Sequence, residues 1–145
     1  AASDVYKRQV ITVFKFMNKI LVEVSVGELL DKISILDIKK DKIKNKENLE
    51  YIQKEYTILK LEYDNKVKSD NKLSLLYNSL KEINSRLWVI EDEKRLCEKN
   101  EDFGENFIKL SRDIHFLNDE RARIKLEINN HTGSKIKEIK EYTKY

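Results

Sequence analysis

One permanent cation stands where the pattern asks for an aliphatic side chain. Arg121 falls between Leu117 and Ile124 on a stripe that otherwise reads Leu110, Ile114, Leu117, Ile124, Ile128. A guanidinium cannot shed its charge, so on a seam it demands a carboxylate or several acceptors. In an up-down bundle the start of the first helix lies level with the later part of the last, which brings Glu28, Asp31 and Lys32 near Arg121 and Lys125. The expected partner of Arg121 is Asp31 or Glu28. Two readings follow. Arg121, Lys32 and Lys125 could hold an anionic group, with Asn84 and Asn118 adding hydrogen bonds, while Glu28, Asp31 or Asp92 holds a cation or acts as acid or base. Alternatively, the same residues form an internal ion-pair network that fixes helix register.

Other side chains carry weaker signals. His115 and Asp119, four apart, suit a dyad or two metal ligands, but a packed or solvated histidine is the commoner case. Trp88, beside the Asn84–Glu91 face, could stack on a ligand, though a tryptophan at helical spacing is more often core. Joining the last two helices near residues 101–102 makes facing positions sum to about 203. That sets Arg112 opposite Glu91, His115 opposite Trp88, and Asn118 near Asn84. Every arginine except Arg8 lies in these two helices, which favours bidentate contacts there. Lys40 and Lys94 also interrupt seams, but near helix C-termini, where a long stem reaches water. Cys97 reads as a small buried hydrophobe, and His131 as a capping or surface residue.

These residues need helices to position them. Ser25-Val26-Gly27-Glu28 matches a capping box, followed by Val26, Leu29, Ile33, Leu36 and Ile43 on one stripe. Asn45 is the candidate cap of a second helix with Leu49, Ile52, Tyr56, Leu59 and Tyr63. Ser69-Asp70 breaks that pattern before Leu73, Leu76, Leu80, Ile83, Leu87, Ile90 and Cys97. Asp102-Phe103-Gly104-Glu105 repeats the capping-box pattern ahead of the Arg121 helix. The likeness of SVGELLDKIS (25–34) to DFGENFIKLS (102–111) is read as shared capping chemistry rather than duplication. Gly133 suits a left-handed helix end. The three- and four-residue alternation is that of a bundle seam. Ahead of it, Ile20–Val24 is β-favouring and expected to be extended. Its backbone then pairs with another chain, lies on a loop or stays solvated.

Composition narrows the class. The chain has 145 residues, 38% charged, with no proline and one cysteine. Abundant Leu, Ile and Val argue against disorder, and the lone cysteine excludes an intramolecular disulfide. No apolar run reaches a membrane span, about 18 residues or more. The opening AASDVYKRQ resembles a translated sequencing-adapter read, and Met17 a natural start. Residues 1–16 are therefore expected to be a non-native leader, 17–133 the helical domain and 134–145 a polar tail. Without that leader, three basic residues (Lys7, Arg8, Lys15) and one acid (Asp4) go. The formal charge of +3 then falls close to neutral, with no electrostatic case for nucleic acid or anionic membrane.

With SVGELLDKISILDIK (25–39), NSRLWVIEDEKR (84–95) and LSRDIHFLNDERARIKLEIN (110–129) in view, the chain resembles an uncharacterised bacterial family catalogued as domain of unknown function 6165. The resemblance covers about 17–145 and implies no activity. Glu28-x-x-Asp31 with Glu91-Asp92-Glu93 is also similar in outline to the magnesium motifs of all-helical nucleotide pyrophosphohydrolases, whose first motif needs more carboxylates than this chain supplies. Helical chorismate mutases hold a dicarboxylate with Arg and Lys, but the first two helices here contain no arginine.

The expectation is an all-α, antiparallel up-down bundle of about four helices with a short N-terminal extended segment. Its candidate polar cluster is Glu28, Asp31, Lys32, Asn84, Trp88, Glu91, Asp92, Arg112, Asn118, Asp119, Arg121 and Lys125. No metal or cofactor is expected. The leading function is a cytoplasmic, homo-oligomeric or partner-binding scaffold module, without nucleic acid or membrane. The runner-up is a small enzyme or binding protein for an anionic metabolite, phosphorylated ones included.

Overall fold

The computed structural model describes residues 20–145. The expectations for residues 1–16 and Met17 lie outside the described residues. Four helices make up the described chain: α1 (Val26–Lys42), α2 (Lys46–Lys66), α3 (Asn71–Lys99) and α4 (Glu105–Thr132). Residues 20–24 form neither helix nor strand, and Ile20, Leu21, Val22 and Val24 are exposed. Among the described residues no strand pairs with that segment.

Most helix ends follow local chemistry. Ser25 Oγ accepts from the Glu28 backbone N–H at 3.1 Å, Asn45 Oδ1 from Asn48 N–H at 3.0 Å, and Asp70 Oδ1 from Leu73 N–H at 2.8 Å. Each satisfies a first-turn donor that the helix itself cannot. Gly133, at φ 66° and ψ 31°, closes α4 in the left-handed region, where a Cβ would be strained.

The second capping box is a correction. The helix begins at Glu105, its cap residue is Gly104, and no side chain caps it. The Asp102 carboxylate instead accepts from Gly104 N–H at 3.2 Å. A bond to the residue two ahead is an Asx-turn, which uses the acceptor that a cap would need. Phe103, left ahead of the helix, meets Phe107 edge to face at 5.3 Å. Shared capping therefore does not account for the likeness of 25–34 to 102–111.

The core joins Leu30 and Ile33 of α1 to Leu73, Leu80, Ile83 and Leu87 of α3 and Leu117, Ile124 and Ile128 of α4. α3 and α4 form an antiparallel hairpin in the expected register, shown by Cys97 Sγ with Asn106 Nδ2 at 3.6 Å and Asp70 with His131 Nε2 at 2.8 Å. α1 packs on all three other helices. α2 packs on α1, contributes no buried residue, and lends the core only half-buried Tyr56, Leu59 and Tyr63. Lys32–Glu55 at 2.7 Å and Lys40, 3.5 Å above the Tyr56 ring, tie α2 to α1. Helix lengths explain the shape: 17 residues in α1 against 29 in α3, or about 25 Å against about 43 Å. α1 therefore covers only part of the hairpin, and Val89, Leu96, Phe103, Ile108 and Phe116 stay exposed.

Gly27 sets how closely α1 approaches α4. Its N–H donates to Asn129 Oδ1 at 2.7 Å, and a Cβ there would meet Lys125 O at 2.5 Å and Asn129 Oδ1 at 2.9 Å. Gly27→Ala is expected to destabilise the fold by about 1–3 kcal/mol through overpacking, against the usual helical gain of alanine over glycine. Urea denaturation checks this, with Gly104→Ala, whose nearest contact is the Asp102 side chain, as the near-neutral control.

Candidate functional site: a buried carboxylate between two helices

Asp31 sits one turn inside α1 with 2% of its surface exposed. An ionised carboxylate at that depth persists only if charge and hydrogen bonds replace water. Arg121 supplies both. Its Nε donates to Asp31 Oδ1 at 2.9 Å and its Nη2 to Oδ2 at 2.5 Å, the two-pronged geometry that suits a planar fork to a carboxylate. Asn84 Nδ2, from α3, donates to the same Oδ1 at 2.8 Å and to Ser34 Oγ at 2.8 Å. Ser34 Oγ donates to the Asp31 carbonyl at 2.7 Å. One carboxylate thus pins α1 to both helices of the hairpin.

A second cation completes the cluster. Lys125, 9% exposed, donates to Glu28 Oε2 at 2.6 Å and Glu138 Oε2 at 3.1 Å, and lies 3.8 Å from Asp31 Oδ2. Glu28, expected to fold back on its own cap, turns to Lys125 instead. Burial works to lower the Lys125 ammonium, but the hydrogen bonds to Glu28 and Glu138 outweigh it and leave it raised above 10.5. The Asp31 hydrogen bond likewise raises Arg121, against burial, with Glu28 and Glu91 adding to the effect. The Lys125 hydrogen bond holds Glu138 below its ordinary 4.5, opposed by burial. The pairs Gly27–Asn129, Glu28–Lys125 and Asp31–Arg121 form an antiparallel ladder between α1 and α4.

Six of the sequence candidates meet here: Glu28, Asp31, Asn84, Asn118, Arg121 and Lys125. Asn118 Oδ1 accepts from Arg121 Nη1 at 3.5 Å. The others stand apart. Lys32 pairs with Glu55 of α2, because its position on α1 faces away from α4. Glu91 makes no hydrogen bond to the cluster, though its charge reaches Arg121, and lines a cleft with Lys94 and Arg95; Arg112 lies 5.9 Å from the Phe116 ring, and Asp119 accepts from Tyr145 Oη at 2.5 Å. Trp88 is half-buried and Asp92 exposed. Ser34, Asn129 and Glu138 escaped the sequence reading. Arg121, Lys125 and Asn129 recur every fourth residue, so Asn129 was findable on that face. Glu138 lies on the tail, where no periodicity points to it.

Above the pairs lies a recess of about 240 Å³, bordered by Glu28, Asn118, Arg121, Lys125, Glu138 and Lys140 among others. Among the described residues no buried side-chain nitrogen or oxygen lacks a hydrogen-bond partner. Around the recess Asp31, Glu28 and Glu138 match Arg121, Lys125 and Lys140 in charge. Among those residues, no group of three or more His, Cys, Asp or Glu is placed to hold a metal ion, and no helix is long and apolar enough to cross a membrane.

Fold and site define an all-helical protein whose first helix is fastened to an antiparallel hairpin through a buried carboxylate–guanidinium pair. The chain belongs to the family of unknown function (DUF6165), which it matches over residues 20–145. Comparison with curated proteins and with solved structures found no match.

Arg121→Met is expected to cost about 3–5 kcal/mol, because it strands a buried carboxylate. Asp31→Leu with Arg121→Met should recover at least half of that, as an apolar pair replaces the ionic one. Chemical denaturation reads both. The Glu138–Lys125 bond carries a pH signature. Glu138 is depressed, so its contribution is present above pH 4.5 and fades as pH falls through its folded value. Lys125 is raised, so its contribution is present below pH 10.5 and fades as pH rises through its folded value. Glu138→Gln is expected to flatten the acid limb of the melting temperature–pH curve and to lower the plateau between those limits.

Proposed function

We propose that the chain is a helical interaction module without catalysis, acting in the cytoplasm as a homo-oligomer or with a protein partner. The observation that carries this reading is the closure of the polar cluster. Its cations and carboxylates answer one another, and its buried polar atoms are partnered. A general acid or base needs a face open to substrate, and Asp31 spends its oxygens on Arg121 and Asn84. Apolar surface lies elsewhere. Tyr51, Ile58 and Leu61 of α2 are 68%, 54% and 59% exposed. They form one stripe roughly opposite the face laid on α1, since seven residues complete about two turns.

A second reading, a binder of small anionic metabolites, draws on the recess beside Arg121 and Asn118. Two measurements separate them. Sedimentation equilibrium of the full chain is expected to show self-association that Ile58→Glu with Leu61→Glu abolishes at unchanged helicity. Thermal-shift titration with inorganic phosphate is expected to leave the melting temperature in place. A strict monomer whose melting temperature climbs with phosphate, as specific binding requires, overturns the module reading.

A further inference from the structure

The tail after Gly133 turns back and runs along α4 toward its middle. Ser134 Oγ accepts from Val26 N–H at 3.2 Å, and Lys137 Nζ donates to Asn130 Oδ1 at 2.8 Å. Glu138 reaches Lys125. Tyr145 ends beside His115 and Phe116, with ring centroids at 5.2 and 5.6 Å, and its hydroxyl donates to Asp119. The tail has no helix or strand of its own, so side chains hold it.

Two anchors of different kinds lie along this path. One is Lys125, an ammonium held almost out of water that takes the tail carboxylate. The other is a cleft of about 500 Å³ lined by Phe107, Ile108, Arg112, His115 and Phe116. Tyr145 forms one wall of that cleft and stays 77% exposed, and Ile108 and Phe116 beside it stay 56% and 44% exposed. The tail's remaining large apolar residues, Ile136, Ile139 and Tyr142, are exposed too. Contacts of this kind, half-exposed ion pairs and an open ring, are worth little each. Held in cis, the tail benefits from an effective concentration that short linkers set on the order of millimolar.

We propose that this face of α4 is a docking groove for an extended protein segment bearing a carboxylate and, seven residues later, an aromatic or larger apolar anchor, and that residues 134–145 fill it in cis. The carboxylate seats on Lys125. The anchor enters the Phe107–Phe116 cleft, where Arg112 borders the opening and His115 gives a stacking face. A partner with a bulkier anchor covers apolar surface that Tyr145 leaves wet, and thereby displaces the tail. The inference rests on the interaction-module reading and names the partner's chemistry.

The test is fluorescence anisotropy with a labelled synthetic peptide of residues 134–145 titrated into the full chain. The native tail competes, so wild type is expected to bind weakly. The full-length variant Glu138→Gln with Tyr145→Ala frees the groove and is expected to bind at least about fivefold tighter, as removing a competing closed state requires. Adding Phe116→Ala to that variant should abolish the gain with circular dichroism unchanged. A peptide carrying the Glu138→Gln and Tyr145→Ala changes should bind neither protein. Equal affinity for wild type and variant, or no binding to the variant, overturns the groove. Neither result bears on self-association through α2, so a failure here is distinguishable from failure of the module reading.

Discussion

A carboxylate taken out of water must be answered, and the answer here organises the molecule. Asp31 alone on α1 would cost several kcal/mol to bury. Arg121 of α4 and Asn84 of α3 repay that cost from two directions. Apolar stripes on three helices can slide by a turn at modest cost, because one aliphatic side chain replaces another. A two-pronged guanidinium bond cannot slide. The pair therefore specifies which turn of α1 meets which turn of the hairpin, and Gly27 permits the close approach that this register needs.

That division of labour explains the uneven shape. α1 carries Asp31, Ser34, Leu30 and Ile33 into the interior, so it serves as the centre although it is the shortest helix. α2 has no such buried side chain and rides on α1. The hairpin extends beyond the reach of α1, and its far end keeps apolar side chains in solvent. Apolar surface is left uncovered at α2 and at the hairpin's far end.

Much of this was legible in the residues. Ser25, Asn45 and Gly133 announced helix ends because capping is local chemistry, read within three residues. Arg121 announced itself by breaking a seam, and up-down topology then named Asp31 or Glu28 as its partner, of which Asp31 is the one it meets. Asp102 misled because an Asx-turn and a cap share the same residue type and differ only in which N–H is met. Lys32 misled because its level along α1 is right but its face is wrong: one residue past Asp31 it is turned about 100° around the helix and meets Glu55 of α2. Glu138 stayed hidden because contacts made by an aperiodic tail leave no pattern to read. The peripheral place of α2 was equally invisible, since its apolar stripe looks like that of any bundle helix.

The central claim is that the Asp31–Arg121 pair fixes α1 against the hairpin. Native-state hydrogen exchange on Arg121→Met tests it most directly, because exchange resolves the stability of each helix separately. The account predicts that the α1 amides around Leu30–Ile38 lose most of their protection and exchange as readily as those of α2, while α3 and α4 around Leu80–Leu87 and Leu117–Ile128 keep more of theirs. An α1 that remains as protected as the hairpin in that variant would contradict it.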